Sequence, residues 1–494
     1  MKYKIILVPF LMLAIFSSCK KTYLDTYSTT AVPAGDVFAS AQNAWAALNG
    51  IHRIMYTQYD AQPQGGFGGI MVIRDLMGED VIYTLANGRQ DFQGHIRWLS
   101  HRNVNSGDSR FVFRLYYRLV SNANLLINGI DGAGAILQKD KDYIKGQALV
   151  YRAWAHFELV QYWAERYNAA GQNAGLGVPL LTSYIAEGQP RATVAQVYTQ
   201  VNKDLDEAIV LLDGYIRTGS AAKSNFNKNI AQGIKARVAL AQQNWDVAAT
   251  MAVAARTGFT LMSNAEYLSG FNNTGIGEWM WGSDQIADHN TFFWSFFANM
   301  GCNFNGTNTR TQPKAINSAL WNDLPATDVR KGCWDLTGAT VPIPPGGARI
   351  PYQSKKFLAF DAATSIGDVP YMRTAEMYLI EAEARARQGG RDADARQALF
   401  TLVKNRNAAY VLSTNSGQAL IDEIMFHRRV ELWGEGFRWL DLKRTNAPLN
   451  RNLALNTNPT ISLQMAVPAG DKLWQWLFHQ DEINTNPALV QNPL

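Results

Sequence analysis

Cysteine and histidine are scarce in this chain, and the common motifs built from them are missing. The 494 residues include three cysteines and seven histidines, with no H-E-x-x-H motif and no cysteine pair at zinc-site spacing. A G-x-S-x-G motif and a Walker phosphate loop are also absent. The sequence therefore gives no support to a zinc protease, a nucleophile-elbow hydrolase or a P-loop nucleotidase.

The chain also lacks a large excess of positive or negative charge. The formal net charge is +5, and it falls to +3 when Lys2 and Lys4 of the N-terminal segment are left out. That is too little to indicate nucleic-acid binding. No Pro/Ser-rich linker, low-complexity tract or long charge run divides the chain, which favours one large body over several separate domains.

Long apolar runs are missing beyond the N-terminus, and the run found there is short. Lys2 and Lys4 precede 12 apolar residues from Ile5 to Phe16, too few to cross a bilayer as a helix, which indicates a secretory signal. The run ends in Ser-Ser-Cys, a sequence that resembles the lipobox of bacterial lipoproteins. We predict a signal peptide over residues 1–18 and lipidation of Cys19, which would anchor the chain stably if several acyl chains are added. An ordinary signal with an incidental cysteine is the alternative.

Apolar residues at helical spacing are plentiful. Residues 236–255 and 382–402 each combine an alanine-rich helix, a short polar break with an Asp, and a second helix of small residues. Small residues let two helices approach closely, as in tetratricopeptide (TPR) hairpins. Residues 142–167, 193–212 and 371–388 show further helical stripes, the second opening on Thr193 as N-cap. The sequence predicts a mostly α fold.

Two long insertions interrupt the predicted helices, at roughly residues 56–109 and 271–368. Both are rich in Gly, Asn and aromatic residues and lack helical periodicity. Ordered segments of this length are usually functional. Within the second, "GEWMWGSDQ" alternates like a strand, so we predict that Trp279 and Trp281 share one buried face. Cys302 and Cys333 also lie there, and a disulfide between them stays open.

The stretch "HRRVELWGEGFRWLDLKR", residues 427–444, mixes charges with large apolar side chains. A reactive centre, a basic patch and an internal brace are all conceivable. Arg428 and Glu431 are three residues apart on a predicted helix, close enough to pair. Gly434 and Gly436 then end the helix. We predict a half-buried brace in which Arg428 and Glu431 neutralise each other beside Trp433.

Several stretches, in order along the chain, resemble the SusD/RagB family of outer-membrane nutrient-binding lipoproteins. They are "CKKTYLDTYSTTAVPAGDVFAS", "AWAALNGIHR", "RATVAQVYTQVNKDLDEAI", "YMRTAEMYLIEAEA", "RRVELWGEGFRWLDLKR" and "INTNPALVQNPL". The resemblance implies a single SusD-like domain over 19–494, in parts of about 19–225 and 226–494, with TPR-like hairpins supporting a loop-rich, glycan-binding face with a few short strands. It also implies the cell surface as location, a SusC-type TonB-dependent transporter as partner, and no catalysis.

Glycan binding needs aromatic faces, which stack on sugar rings, and polar groups, which bond their hydroxyls. The two insertions offer both kinds of side chain. The predicted glycan-binding residues are Asp80, Tyr83, Asn87, Arg89 and Trp98 in the first insertion, and Asn290, Phe293, Trp294, Phe297 and Asn303 in the second. Arg373 is added because a cation near a helix start is disfavoured by the macrodipole unless a carboxylate or a pocket edge compensates it.

Two other functions stay open at this point. A glycoside hydrolase would need two carboxylates flanking a sugar, and the pairs Glu278 and Asp284 or Glu79 and Asp80 can be nominated. A scaffold whose TPR-like helices bind only protein is the other alternative. No cofactor is expected. Calcium is possible without support from an EF-hand motif.

Overall fold

The computed structural model describes residues 36–85, 91–184, 187–219, 222–286, 289 and 292–494. Helices dominate these residues, which confirms the predicted mostly α fold. The helices are α1 Ala41–Ile54, α2 Gly66–Met77, α3 Gln93–Ile96, α4 Gly107–Gly129, α5 Gln138–Trp163, α6 Val194–Leu211, α7 Lys228–Ala241, α8 Trp245–Ala255, α9 Asn264–Tyr267, α10 Phe296–Met300, α11 Thr307–Thr311, α12 Ser318–Asn322, α13 Thr374–Arg387, α14 Asp392–Arg406, α15 Gly417–Glu431, α16 Arg438–Arg444, α17 Pro459–Ser462 and α18 Gln480–Thr485.

The long helices pack side by side in a continuous array. Helix α5 lies between α4 and α6, α7 packs on α6 and α8, and α13 packs on α8, α14 and α15. The pairs α7/α8 and α13/α14 are the two predicted hairpins, with alanines buried where the helices meet. Thr193 caps α6 as predicted: its hydroxyl accepts the Gln196 N–H, and the Gln196 side chain accepts the Thr193 N–H.

Helix α2 was not predicted, because it lies inside the first insertion and has no polar face. All 12 of its residues are buried, so the amphipathic period that reveals a surface helix is absent. Its glycines permit this burial. A Cβ at Gly69 would lie 2.3 Å from the Pro63 carbonyl oxygen, and one at Gly68 would lie 3.1 Å from the Phe296 Cβ. The expectation of an aperiodic insertion is therefore wrong for this segment.

The strands are short and all pair antiparallel. They are β1 Val81–Tyr83, β2 Leu176–Pro179, β3 Arg191–Thr193, β4 Trp279–Ser283, β5 Lys314–Ile316, β6 Trp334–Asp335, β7 Gln353–Ser354, β8 Val369–Arg373, β9 Leu449–Asn450 and β10 Ala466–Val467. One sheet has the order β1-β5-β7-β6, and β2/β3, β4/β8 and β9/β10 form two-stranded sheets. Trp279 and Trp281 in β4 are both buried, as predicted. Cys302 and Cys333 are buried free thiols.

The stretch from His427 to Arg444 contributes to a buried ion network. The network, as we use the term, consists of the carboxylates Glu278, Asp328, Glu431 and Glu435 and the cations Arg330, Lys356, Arg373 and Arg406. Four negative charges thus face four positive ones. Glu431 is central, since its oxygens accept hydrogen bonds from Arg373 at 3.0 Å and from Arg406 at 3.1 and 3.3 Å.

The predicted pair of Arg428 with Glu431 is wrong. Arg428 Nε instead donates to Asp441 at 2.7 Å. The chain turns back through Gly434 and Gly436, with φ of 78° and 84°, and this turn returns α16 to the side of Arg428. The spacing of three residues allowed Arg428 to pair with Glu431, but the turn brings Asp441 close to Arg428 and the two pair instead.

Arg373 lies at the start of a helix, as the sequence predicted: it is the last residue of β8 and the N-cap residue of α13. It is not the edge of a pocket, because it is only 1% exposed. Its guanidinium donates to Glu435 at 2.6 and 2.8 Å and also contacts Glu278 and Glu431. These carboxylates compensate the unfavourable interaction between the Arg373 charge and the dipole of α13. No ligand is therefore needed to explain a cation at this position.

A C-terminal strap, residues 490–492, fastens the end of α5. Asn492 Nδ2 donates to the carbonyls of Trp163 and Trp476, each at 2.7 Å. Arg191 Nη1 donates to the Val490 carbonyl at 3.1 Å and to Asn492 Oδ1 at 2.8 Å, while its Nη2 donates to the Trp163 carbonyl at 3.0 Å. The carbonyl of Trp163, the last residue of α5, has no partner within the helix and is satisfied in this way.

Candidate functional site

The two insertions meet, and strands and side chains join them. Strand β1 of the first insertion pairs with β5 of the second, placing Tyr83 opposite Lys314. Gln62 Nε2 donates to the Phe293 carbonyl at 3.0 Å. Both predicted regions therefore contribute to one surface.

An aromatic ledge, which we define as Phe292, Phe293 and Trp294, lies at this junction. Phe292 is 37% exposed and Phe293 is 46% exposed, while Trp294 is half-buried. The two Phe rings meet edge to face with centroids 4.3 Å apart. Both also pack on the buried ring of Phe304, at 5.4 and 5.9 Å. The ledge thus presents apolar ring surface to solvent on a fixed base.

Hydrogen bonds hold the ledge in place from behind. The Ser365 hydroxyl donates to the Phe292 carbonyl, and the Ser295 hydroxyl donates to Ser365. Ser295 also accepts the Ala298 N–H at 2.9 Å and so caps α10. Because all of these groups are ordered in advance, the protein would lose little conformational entropy when a ligand stacks on the ledge.

A shallow depression of about 10 Å³ borders the ledge, and its wall supplies polar groups. Its lining includes Gln62, Phe293, Phe304, Thr307 and Asn308. The Asn308 amide donates to Asn299 at 2.7 Å and to Asp91 at 3.3 Å. Its carbonyl oxygen Oδ1 is buried and has no hydrogen-bond partner in the described part of the chain. An open ring surface beside a small polar recess suits a polymer lying across it.

Phe360 is a ring that the sequence did not single out. It is 78% exposed and follows Ala359, whose N–H and carbonyl are both held by the Asn303 side chain at 2.8 and 3.0 Å. Asn303 in turn precedes Phe304 beneath the ledge. The backbone just before the exposed ring is therefore fixed to the residue that precedes Phe304. The sequence "FLAF" alone does not tell which Phe faces solvent.

Several predicted binding residues lie in the interior, so their assignment to the site is wrong. Trp98 is 2% exposed and its indole Nε1 donates to the Met77 carbonyl at 2.9 Å. Phe297 is fully buried and Tyr83 is 3% exposed. A ring that is covered by protein on both faces has no free face on which a sugar could stack.

Polar residues that were predicted to bind glycan also have partners within the protein. Asp80 is 3% exposed and accepts Arg429 Nε at 3.1 Å, while the amide of Asn303 is used by Ala359. Arg373 belongs to the ion network. Asn87, Arg89 and Asn290, like Cys19, lie outside the described residues. Phe293 and Trp294 are the predicted residues that the structure leaves at the surface.

The carboxylates nominated for hydrolysis are mostly engaged as well. Glu278 is completely buried between Arg373 and Arg406. Glu79 is 6% exposed and contacts Arg438. Burial, together with the nearby charge of Asp368, raises the pKa of Asp284, but its proposed partner Glu278 is inaccessible. Within the described ranges, no group of three or more His, Cys, Asp or Glu side chains is arranged to hold a metal ion.

Larger cavities lie elsewhere on the molecule. Their volumes are about 230 Å³ beside Lys443, about 410 Å³ beside Arg191 and about 500 Å³ beside Leu99. Among the described residues lining them, the one aromatic ring is that of Trp474, which is 4% exposed. None of these three therefore combines accessible ring surface with polar groups as the ledge does. A fourth cavity, of about 40 Å³, is lined by charged side chains and by the rings of Phe67, Phe157, Tyr371 and Phe437, of which only Phe437 is partly exposed.

Comparison with known proteins gives consistent matches over most of the chain. The sequence model of the SusD family matches residues 297–494. A second model, described as starch-binding associating with outer membrane, matches residues 81–240. No curated protein matches the sequence. None of the described helices is long and apolar enough to cross a membrane.

Solved structures agree. A SusD-like carbohydrate-binding protein of Bacteroides vulgatus is 26% identical, with a TM-score of 0.78 over 91% of this chain and 97% of its own. A SusD superfamily protein of Bacteroides thetaiotaomicron is 23% identical, with a TM-score of 0.78 over 92% of this chain and all of its own. A laminarin-binding SusD-like protein is 19% identical, with a TM-score of 0.69 over 92% and 99%. The last two likenesses concern the fold alone.

Proposed function

The chain belongs to the SusD family, and from this premise we propose that it binds glycan at the aromatic ledge without cleaving it. The observation that carries the proposal is the exposed edge-to-face pair of Phe292 and Phe293 beside the polar depression. Sugar rings have apolar C–H faces, so they stack on exposed aromatic rings, while Gln62 and Thr307 can bond the hydroxyls at the ring edge.

The absence of catalysis is also part of the proposal. Glycoside hydrolysis needs two accessible carboxylates about 5 to 9.5 Å apart across the scissile bond. In the lining of the depression, the described residues are Gln, Phe, Ala, Gly, Thr and Asn. This composition supports binding rather than bond cleavage, and the similar structure from Bacteroides vulgatus is that of a SusD-like carbohydrate-binding protein.

We further propose that the protein delivers its glycan to a SusC-type TonB-dependent transporter at the outer membrane. The description of the matched family as starch-binding and associating with the outer membrane supports this location. The Ser-Ser-Cys ending of the N-terminal apolar run supports a lipid tether on Cys19. A tethered binder next to a transporter raises the local concentration of substrate at its entrance.

Replacing Phe293 with Ala should weaken glycan retention about tenfold, the equivalent of about 1.4 kcal/mol, because half of the ring pair is removed. Stability should fall by about 1 kcal/mol, because the ring is 46% exposed but packs edge to face on Phe292 and Phe304. Affinity electrophoresis of the purified domain in gels containing single polysaccharides measures the first quantity, and a thermal melt measures the second.

Tyr184→Ala is the matched control, since Tyr184 is a 75% exposed aromatic side chain that is not part of the ledge. Its retention should equal that of the unaltered protein. Product analysis of the same mixtures reports cleavage. Shortened sugars would support the hydrolase alternative, and equal retention by Phe293→Ala and the unaltered protein would remove the ledge from the site.

Cys19→Ala should leave the protein unacylated and release it from the membrane fraction. The apolar signal segment is too short to span the bilayer as a helix. Without acylation, the protein also lacks the acyl chains that would anchor it stably. Fractionation followed by mass spectrometry of the N-terminal peptide measures both effects in cells lacking the transporter. Cys302→Ala is the control and should remain with the membrane. A Cys19→Ala protein found in the membrane fraction would contradict the lipid anchor.

A further inference from the structure

The backbone carbonyls of all three ledge residues are in contact with residues outside the ledge. In chain order, the first carbonyl accepts the Ser365 hydroxyl, and the second accepts Gln62 Nε2 at 3.0 Å. The third, that of Trp294, lies against the backbone of Gly65. Gln62 and Gly65 belong to the first insertion and Ser365 to the second, so both insertions hold the backbone that carries the exposed rings.

The ledge passes so close to Gly65 that a side chain has no room there. A Cβ at Gly65 would lie 1.9 Å from the Trp294 carbonyl oxygen and 3.1 Å from its carbonyl carbon. The backbone angles of Gly65, with φ of −84° and ψ of 65°, are open to other residues. The close approach, and not the conformation, is therefore the physical reason for glycine at this position.

The segment that carries Gly65 is itself held firmly. We call residues 58–65 the support turn; its two ends pair through an isolated β-bridge. The buried side chain of Gln64 accepts the N–H groups of residues 60 and 61 and donates to Asp108 of α4 at 3.0 Å. Gly66, the next residue, packs so closely on Met55 that a Cβ there would lie 2.3 Å from the Met55 carbonyl oxygen. Because the support turn cannot retreat, a side chain at Gly65 must displace the ledge.

Ser365 holds the ledge from a backbone conformation that serine rarely adopts. Its φ is 62°, in the left-handed region that is unfavourable for a residue with a Cβ. Its hydroxyl accepts a hydrogen bond from Ser295 at 2.9 Å and donates to the Phe292 carbonyl. The side chain is completely buried, so any effect of Ser365 on a ligand must act through the ledge.

We propose that Gly65 and Ser365 are positioning residues of the glycan site, which set the place and the rigidity of the ledge without touching the glycan. This proposal rests on the proposed function, since it concerns the same ledge. Rings that are fixed in advance lose little conformational freedom when a sugar stacks on them, whereas a displaced or loosened ledge has to be ordered by the ligand and binds it less tightly.

Gly65→Ala should lower glycan retention per folded molecule about tenfold or more, measured by affinity electrophoresis and corrected for the folded fraction. Hydrogen–deuterium exchange followed by mass spectrometry should show faster exchange of the amides of residues 292–298 and unchanged exchange in α7 and α13. Gly177→Ala is the control for crowding, because a Cβ at Gly177 would lie 2.9 Å from the Ala192 carbonyl oxygen in the β2/β3 sheet. It should leave retention per folded molecule unchanged. Equal retention by the two variants would overturn the role of Gly65.

Ser365→Ala should lower retention about threefold to tenfold and speed exchange in the same residues, because the bond to the Phe292 carbonyl is lost. Ser365→Gly removes the same hydroxyl but adopts a positive φ without strain. Its thermal midpoint should therefore be higher than that of Ser365→Ala, with retention lowered in both. Retention that follows the thermal midpoint instead of the hydroxyl would give Ser365 a merely structural role and overturn its assignment. If Gly65→Ala does not fold, the two Ser365 variants decide the proposal.

Phe293→Ala, measured in the same gels, separates this proposal from the proposed function. Weak retention by Phe293→Ala together with full retention by Gly65→Ala and Ser365→Ala would keep the ledge as the site and overturn the positioning roles alone. Full retention by Phe293→Ala would overturn both.

Discussion

Replacing Glu431 with Gln should lower the free energy of unfolding by about 3–5 kcal/mol, since removing one partner leaves buried charge uncompensated. Glu431 is completely buried and bonded to Arg373 and Arg406, with Arg330 at 3.5 Å. The neutral amide has a similar shape, so the loss would come from charge rather than from a cavity. Denaturant unfolding of the purified domain measures it.

Glu187→Gln is the control, because Glu187 is exposed, and it should change stability by less than about 0.5 kcal/mol. Burial alone would raise the pKa of Glu431, but the charges of Arg406, Arg373 and Arg330 lower it well below its ordinary value of 4.5. A lowered carboxyl pKa stabilises the folded state above pH 4.5, and the contribution is lost as pH falls toward the folded-state pKa. The destabilisation should therefore shrink in acid. A Glu431→Gln protein with normal stability and lost glycan retention would place this stretch in the site.

Replacing Trp98 with Ala should also cost about 3–5 kcal/mol, because a large ring in a packed core leaves a cavity. Trp98 is 2% exposed, meets Trp474 edge to face at 4.8 Å, and donates its indole N–H to the Met77 carbonyl. Glycan affinity per folded molecule should stay the same. Unfolding curves and affinity electrophoresis, corrected for the folded fraction, measure the two effects.

Phe293→Ala provides the opposite pattern, with affinity reduced and a much smaller loss of stability. The two variants together distinguish interior from surface aromatics. If Trp98→Ala were as stable as the unaltered protein and bound glycan weakly, Trp98 would be an accessible platform, contrary to its burial in the structure.

The fold was largely predictable because its long helices repeat apolar residues at helical spacing. The pairs α7/α8 and α13/α14 show this, and so does the capping box at Thr193. Helix α2 could not be predicted in the same way. All of its sides are buried, so it has no polar face and its sequence lacks the amphipathic period of a surface helix. Its glycines also lower its helix propensity.

The site was predictable only to the level of the two insertions. Trp98 and Phe293 have the same kind of sequence setting, but one is covered by Trp474 and the other faces solvent. Exposure depends on tertiary neighbours that are distant in sequence. The same reason explains Arg428, whose partner Asp441 becomes near only through the turn at Gly434 and Gly436.

The C-terminal strap has a consequence for how the chain is made. The Trp163 carbonyl at the end of α5 is held by Asn492, 329 residues later. At about 5–20 residues per second, a ribosome needs roughly 15–65 s to supply that partner. During this interval Arg191 can bond the Trp163 carbonyl, but the second donor from Asn492 is missing and the aromatic core around Trp163 lacks Trp476. The nascent chain should therefore depend on chaperones that keep it from aggregating until the strap emerges.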